Sequence, residues 1–172
     1  MDVSTRLVNL SSMHPQLLWE TIITATAAVL ADCPGQPAFL VNLIVENVPG
    51  FGSDTCRLLI DPGGVSPNHI ARVRRTYEPS RLVELAAIAV TALALHHAGG
   101  HKILDVAVRG SAADYLVDQA GHQLEIAGRS RQRDLETAWR QKWERLVERG
   151  GTGFYLCVTE FETATGRLAF IG

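Results

Sequence analysis

The stretch ADYLVDQAGHQLEIAG, residues 113–128, decides how this chain is read. Two apolar alternations, Tyr115 with Val117 and Leu124 with Ile126, flank the turn residues Ala120 and Gly121. Side chains alternate faces along a strand, so these four share a face only in one class of pairing registers. A two-residue loop, Ala120-Gly121, sets Gln119 opposite His122 and Leu116 opposite Glu125. Asp114 then lies opposite Ala127 and diagonal to Glu125, and the two carboxylates are within reach of one divalent ion. A three-residue loop with Gly121 in a bulge puts them on opposite faces instead. The shared apolar face favours the first register.

Outward from this hairpin the pattern alternates helices and strands. Upstream, Ile103–Val108 reads as a strand, after a helix that Ser80 caps and that runs to about His97. That helix is apolar nearly all round, which predicts a buried, central position. Gly99-Gly100 stops it. His96 and His97 fall in its last turn, where cations suit the helix dipole. With His101 they make a three-histidine group, but without an ordered metal-ligand spacing. Downstream, Gln132–Arg149 is an amphipathic helix with Leu135, Ala138, Trp139, Trp143, Leu146 and Val147 on one side, ended by Gly150-Gly151. Gly153–Glu162 and Arg167–Ile171 are strands joined by a turn over Thr163–Gly166. In the first half, Pro15 opens a helix whose face is Leu18, Ile22, Ala25 and Val29, stopped by Cys33-Pro34-Gly35. Phe39–Val48 and Thr55–Ile60 are strands around the loop Pro49–Asp54, and Pro62-Gly63-Gly64 closes the second. Ser66–Tyr77 fits either a short capped helix or a strand. The predicted class is α/β (α+β): one domain over residues 1–172, with a central mixed sheet flanked by helices.

Composition narrows the function. The 172 residues are 47% hydrophobic and 20% charged, as in ordinary globular proteins, with a net charge of −2. The whole molecule is therefore not a polyanion binder, although Arg129–Arg149 holds seven basic against four acidic residues. No apolar run reaches the length of a membrane span, and Met1–Asn9 lacks the apolar core of a signal peptide. Cys33, Cys56 and Cys157 are odd in number and widely spaced, which fits reduced thiols and a cytoplasmic setting. No phosphate-cradling glycine loop, nucleophile elbow or zinc spacing is present.

Over residues 80–161, a buried helix with an acid, three strands, a helix and a strand resemble the core of the PD-(D/E)xK nuclease superfamily. Asp114 and Glu125, eleven residues apart, look like that family's acidic pair, and Glu84 matches its helix acid. The resemblance implies a catalytic group of Glu84, Asp114 and Glu125, with Asp114 and Glu125 holding Mg2+ or Mn2+. It also implies a lysine two residues beyond the second acid, where this chain has Ala127 in the run Glu125-Ile126-Ala127. A lysine there helps to activate water and to stabilise charge in phosphate hydrolysis. Lys142, within the apolar stripe of the last helix, is the candidate substitute, pointing over the sheet toward Glu125.

Each candidate also has a plain structural reading. Glu84 pairs with an arginine or lies at the helix's exposed first turn, Asp114 starts a strand or caps a loop, and Glu125 is a surface strand residue. Lys142 snorkels from the edge of its stripe. Arg129 and Arg131 are candidates to hold phosphate or a partner. Phe51, between Gly50 and Gly52, is expected as an exposed aromatic at a docking surface, and Trp139 and Trp143 with nearby arginines have the composition of interface anchors. Three functions remain: a nuclease-like domain that has lost catalysis and binds or assembles with another protein chain, self or neighbour, without cofactor; a working metal-dependent nuclease with a displaced cation, acting on nucleic acid; or an unrelated α/β protein-binding domain. Ala127 favours the first over the second.

Overall fold

A computed structural model describes residues 1–33, 39–108, 113–150 and 152–172. Pro34, Gly35 and Gly151, to which the sequence assigns helix stops, lie outside the described residues. The strands are β1 (Asp2–Arg6), β2 (Leu40–Val48), β3 (Gly52–Asp61), β4 (Ile103–Val106), β5 (Tyr115–Val117), β6 (His122–Arg129), β7 (Phe154–Glu160) and β8 (Thr165–Ile171). The helices are α1 (Leu10–Met13), α2 (Glu20–Ala31), α3 (Pro67–Thr76), α4 (Pro79–Gly99) and α5 (Leu135–Glu148). Among the described residues eight strands join one mixed sheet in the order β1-β3-β2-β8-β7-β6-β5-β4. The fold is thus α/β, with a mixed sheet flanked by helices.

From Pro79 onward the chain runs helix, three antiparallel strands, crossover helix, and a strand parallel to the third. β4 pairs antiparallel with β5, β5 with β6, and β6 parallel with β7 across α5. α4 packs on β6 and β7 with one side and on α2 with the other, which explains an all-round apolar sequence. By length and composition α4 could cross a membrane, but most of it is buried inside this domain. Each of its fully buried leucines, such as Leu93 and Leu95, contributes roughly 2 kcal/mol. α5 covers the opposite face of the sheet, over a second core of Ala127, Leu156, Val158 and Ala169.

Several boundaries differ from the sequence reading, for local reasons. Pro15 lies in a turn, and α2 starts at Glu20. Trp19 is buried with its indole N–H donating to the His14 carbonyl oxygen at 2.7 Å, while Leu18, assigned to the buried face, is 95% exposed. Small residues at Ala25, Thr26, Ala27 and Ala28 let α2 approach α4 closely. Ser66–Tyr77 resolves as helix α3, because the Ser66 hydroxyl oxygen accepts from His69 N–H at 3.1 Å and Pro67 follows. α4 begins at Pro79, whose fixed φ suits a first helical position, so Ser80 lies inside the first turn. Val147 is exposed rather than part of the α5 stripe.

Candidate functional site

The hairpin register differs from the expected one by two residues. Tyr115 pairs with Leu124, Leu116 with Gln123 and Val117 with His122, leaving a four-residue connection, Asp118–Gly121. Asp118 causes this. Its carboxylate accepts from Lys102 N–H at 2.8 Å and lies 2.7 Å from His101 Nδ1, which draws the chain out of the strand with φ of 55° at Asp118. A shift of two preserves faces where a shift of one would exchange them. Tyr115, Val117, Leu124 and Ile126 therefore all face the α4 core. Continuing the register by one residue sets Asp114 opposite Glu125, on the α5 side.

β6 outruns β5. Alternate residues of a strand direct their backbone groups to opposite neighbours. Gln123 donates to Gly153 and Arg129 accepts from Phe161, so the odd-numbered residues of β6 bond toward β7. Leu124, Ile126 and Gly128 face the other way. Asp114 meets the first two: its N–H donates to Leu124 O at 2.8 Å, and its Oδ2 accepts from Ile126 N–H at 2.7 Å. The carboxylate thus replaces a strand's carbonyl where β5 ends. Loss of hydration raises the Asp114 pKa. The Ile126 N–H opposes that shift, the Glu125 charge adds to it, and Lys142 and Arg145 oppose it.

Glu125 is buried beneath α5. Its Oε1 takes both the Lys142 ammonium and the Arg145 guanidinium, three residues apart and so on one face of the helix. Ala127, where the family pattern has lysine, is buried in the core beneath Leu135 and Trp139. On the other side of the sheet edge, Glu84 pairs with Arg81 at 2.8 Å, both half exposed. A Cβ on Gly128 would stand 2.5 Å from Val83 O, so only glycine permits this approach of β6 to α4.

Between these groups is a cavity of about 400 Å³, with Arg81, Glu84, Asp114, Gly128, Arg129 and Lys142 in its walls. The structure therefore gathers Glu84, Asp114, Lys142 and Arg129 around one space, with Glu125 beneath Lys142. Arg131 is exposed outside it. Phe51 is corrected too: at the β2–β3 turn it packs partly against the main core and is no exposed tip. The walls carry three cations and two carboxylates, and Glu125 is offset by Arg145. The surroundings favour an anion. They fit a divalent cation poorly: the Glu125 oxygen already holds two cations, and among the described residues no three carboxylate, histidine or cysteine side chains converge.

Among the described residues the three histidines do not converge on one ion either. His101 places Nδ1 on Asp118 and Nε2 2.8 Å from Pro49 O, joining the β2–β3 turn to the hairpin. His96 and His97 pack edge to face, and burial lowers both pKa values. Sequence reasoning missed Arg145, and gave Glu84 an arginine partner without naming Arg81. Their signals were present, since each lies three residues from a candidate, Lys142 or Glu84. No family model, curated protein or solved structure matches the chain.

Proposed function

We propose that this chain is a cytoplasmic, nuclease-like domain that no longer hydrolyses phosphodiesters and acts as a binding component of a larger assembly. The order helix, three strands, helix, strand supports the resemblance. The observation that carries the loss of chemistry is the state of Glu125. Two cations from α5 neutralise it under the sheet, where the family's acid faces a metal ion. The cavity beside it has a net positive wall and suits an anionic group such as a backbone phosphate, held by Arg129, Arg81 and Lys142. One feature favours the alternative of a working nuclease: Lys142 supplies, from α5, a cation that Ala127 does not.

Incubation of the purified chain with labelled single- and double-stranded DNA and RNA, with Mg2+ or Mn2+, separates these readings. The expected result is no cleavage, together with saturable binding in fluorescence anisotropy that Arg129→Ala weakens. Robust metal-dependent cleavage abolished by Asp114→Ala and by Glu125→Ala would establish the working nuclease instead. Neither cleavage nor binding would leave a domain that assembles with protein chains alone, nuclease-like or unrelated.

A further inference from the structure

A second cavity, of about 360 Å³, opens on the far side of α5, where the helix overhangs β8 and β2. One wall is aromatic: the Trp139 and Trp143 rings stack with centroids 5.6 Å apart and planes 24° apart. The facing side is acidic. Glu46 comes from β2, while Glu136 and Glu144 come from the same shoulder of α5 as Arg140. Arg167 of β8 shows what this environment accepts. Its guanidinium carbon lies 4.3 Å from the Trp139 ring centroid, and its two terminal nitrogens reach Glu46 at 2.9 Å and Glu136 at 3.2 Å. Three carboxylates against two guanidinium groups leave the cavity one negative charge in excess.

We propose that this cleft receives an arginine side chain from a partner protein. The chemistry is specific in three respects. The excess negative charge selects a cation and repels phosphate, in contrast to the cavity at Asp114. The indole wall favours a planar, weakly hydrated cation that can stack. Glu144, the carboxylate that Arg167 does not hold, rewards forked donors, which a guanidinium has and an ammonium lacks. The site lies on the opposite shoulder of α5 from Lys142, so it stands whether or not the Asp114 cavity binds or cleaves anything.

The indole N–H resonances of a proton–nitrogen NMR spectrum test this directly. The chain has three tryptophans, and Trp19, buried and bonded to His14 O, serves as the internal control. The titrant is the capped peptide Gly-Gly-Arg-Gly-Gly, compared with the same peptide carrying uncharged citrulline. The arginine peptide is expected to shift the Trp139 and Trp143 signals saturably, leaving Trp19 unmoved. Citrulline should bind at least about two- to fivefold more weakly, the factor that an exposed cation–π contact supplies. Glu144→Gln, an exposed change that leaves the indoles in place, should weaken arginine binding. Equal binding of citrulline, an arginine response confined to Trp19, a stronger response to adenosine monophosphate, or no effect of Glu144→Gln would each overturn the proposal.

Discussion

Removing the ammonium from Glu125 tests whether α5 holds that carboxylate as structure or as chemistry. Breaking a fully buried ion pair by deleting one partner costs about 3–5 kcal/mol. Lys142→Met costs less here, because Arg145 remains on the same oxygen and Lys142 is itself 20% exposed. About 2 kcal/mol is the expected loss. Glu125→Gln leaves two cations without their carboxylate. Both reach solvent in part, Arg145 at 46% exposure, and can swing outward, so the loss is again about 2 kcal/mol. In the double variant only the half-exposed Arg145 is left without its carboxylate, and the losses should fail to add by about 1–2 kcal/mol, above the range of exposed surface pairs. Urea unfolding followed by tryptophan fluorescence at neutral pH gives all four free energies. Strict additivity would refute the reasoning: the pair would then contribute nothing to stability, and the charges would be free for another use.

Two further predictions concern buried titratable groups. His14 is wholly buried, with Nε2 3.0 Å from Ala92 O and Nδ1 accepting from Ile103 N–H at 3.0 Å; burial lowers its pKa to about 4. The unfolded chain therefore takes up the proton first. The contribution is intact above about pH 6.5 and falls by about 2 kcal/mol on going to pH 5. A denaturation midpoint that does not move between pH 7 and 5 contradicts this. Glu160, also buried, accepts from the N–H groups of Glu162, Thr163 and Thr165; burial pushes its pKa up, but these bonds and the two threonine hydroxyls outweigh burial and hold it below the usual value. Glu160→Ala strands those donors at the β7–β8 turn and should cost about 3 kcal/mol in urea unfolding, against under 0.5 for exposed Glu148→Ala.

What was legible in the sequence was periodicity, and what was not was long-range pairing. The alternation in Phe39–Val48 and the all-apolar run of α4 directly specify a half-buried strand and a central helix. The two apolar pairs of the hairpin specified which residues share a face. They could not specify the register within that class, because Asp118 chooses it through Lys102 and His101, sixteen and seventeen residues away. The start of α2 was misread for a different reason, a side-chain contact only five residues long. Leu18 continues the helical spacing, but Trp19 and His14 lock together and leave it in solvent. Among the candidate site residues, the convergence of Glu84, Asp114 and Lys142 depends on Gly128 lying against Val83, a contact between segments 45 residues apart that no local pattern reports.

The substitution of a side-chain carboxylate for a strand's own carbonyl at Asp114 makes the neighbouring cavity a matter of chain length. Farther along β6, the Gly128 carbonyl oxygen accepts from the Arg129 guanidinium at 2.8 Å, a second side chain on the strand's backbone. Each residue by which β5 starts earlier carries that strand about 3.3 Å farther along β6. A molecule seated in that cavity would compete with these side chains, Asp114 and Arg129, for backbone groups of β6. Selectivity in such a place is tuned by where the hairpin's first strand starts.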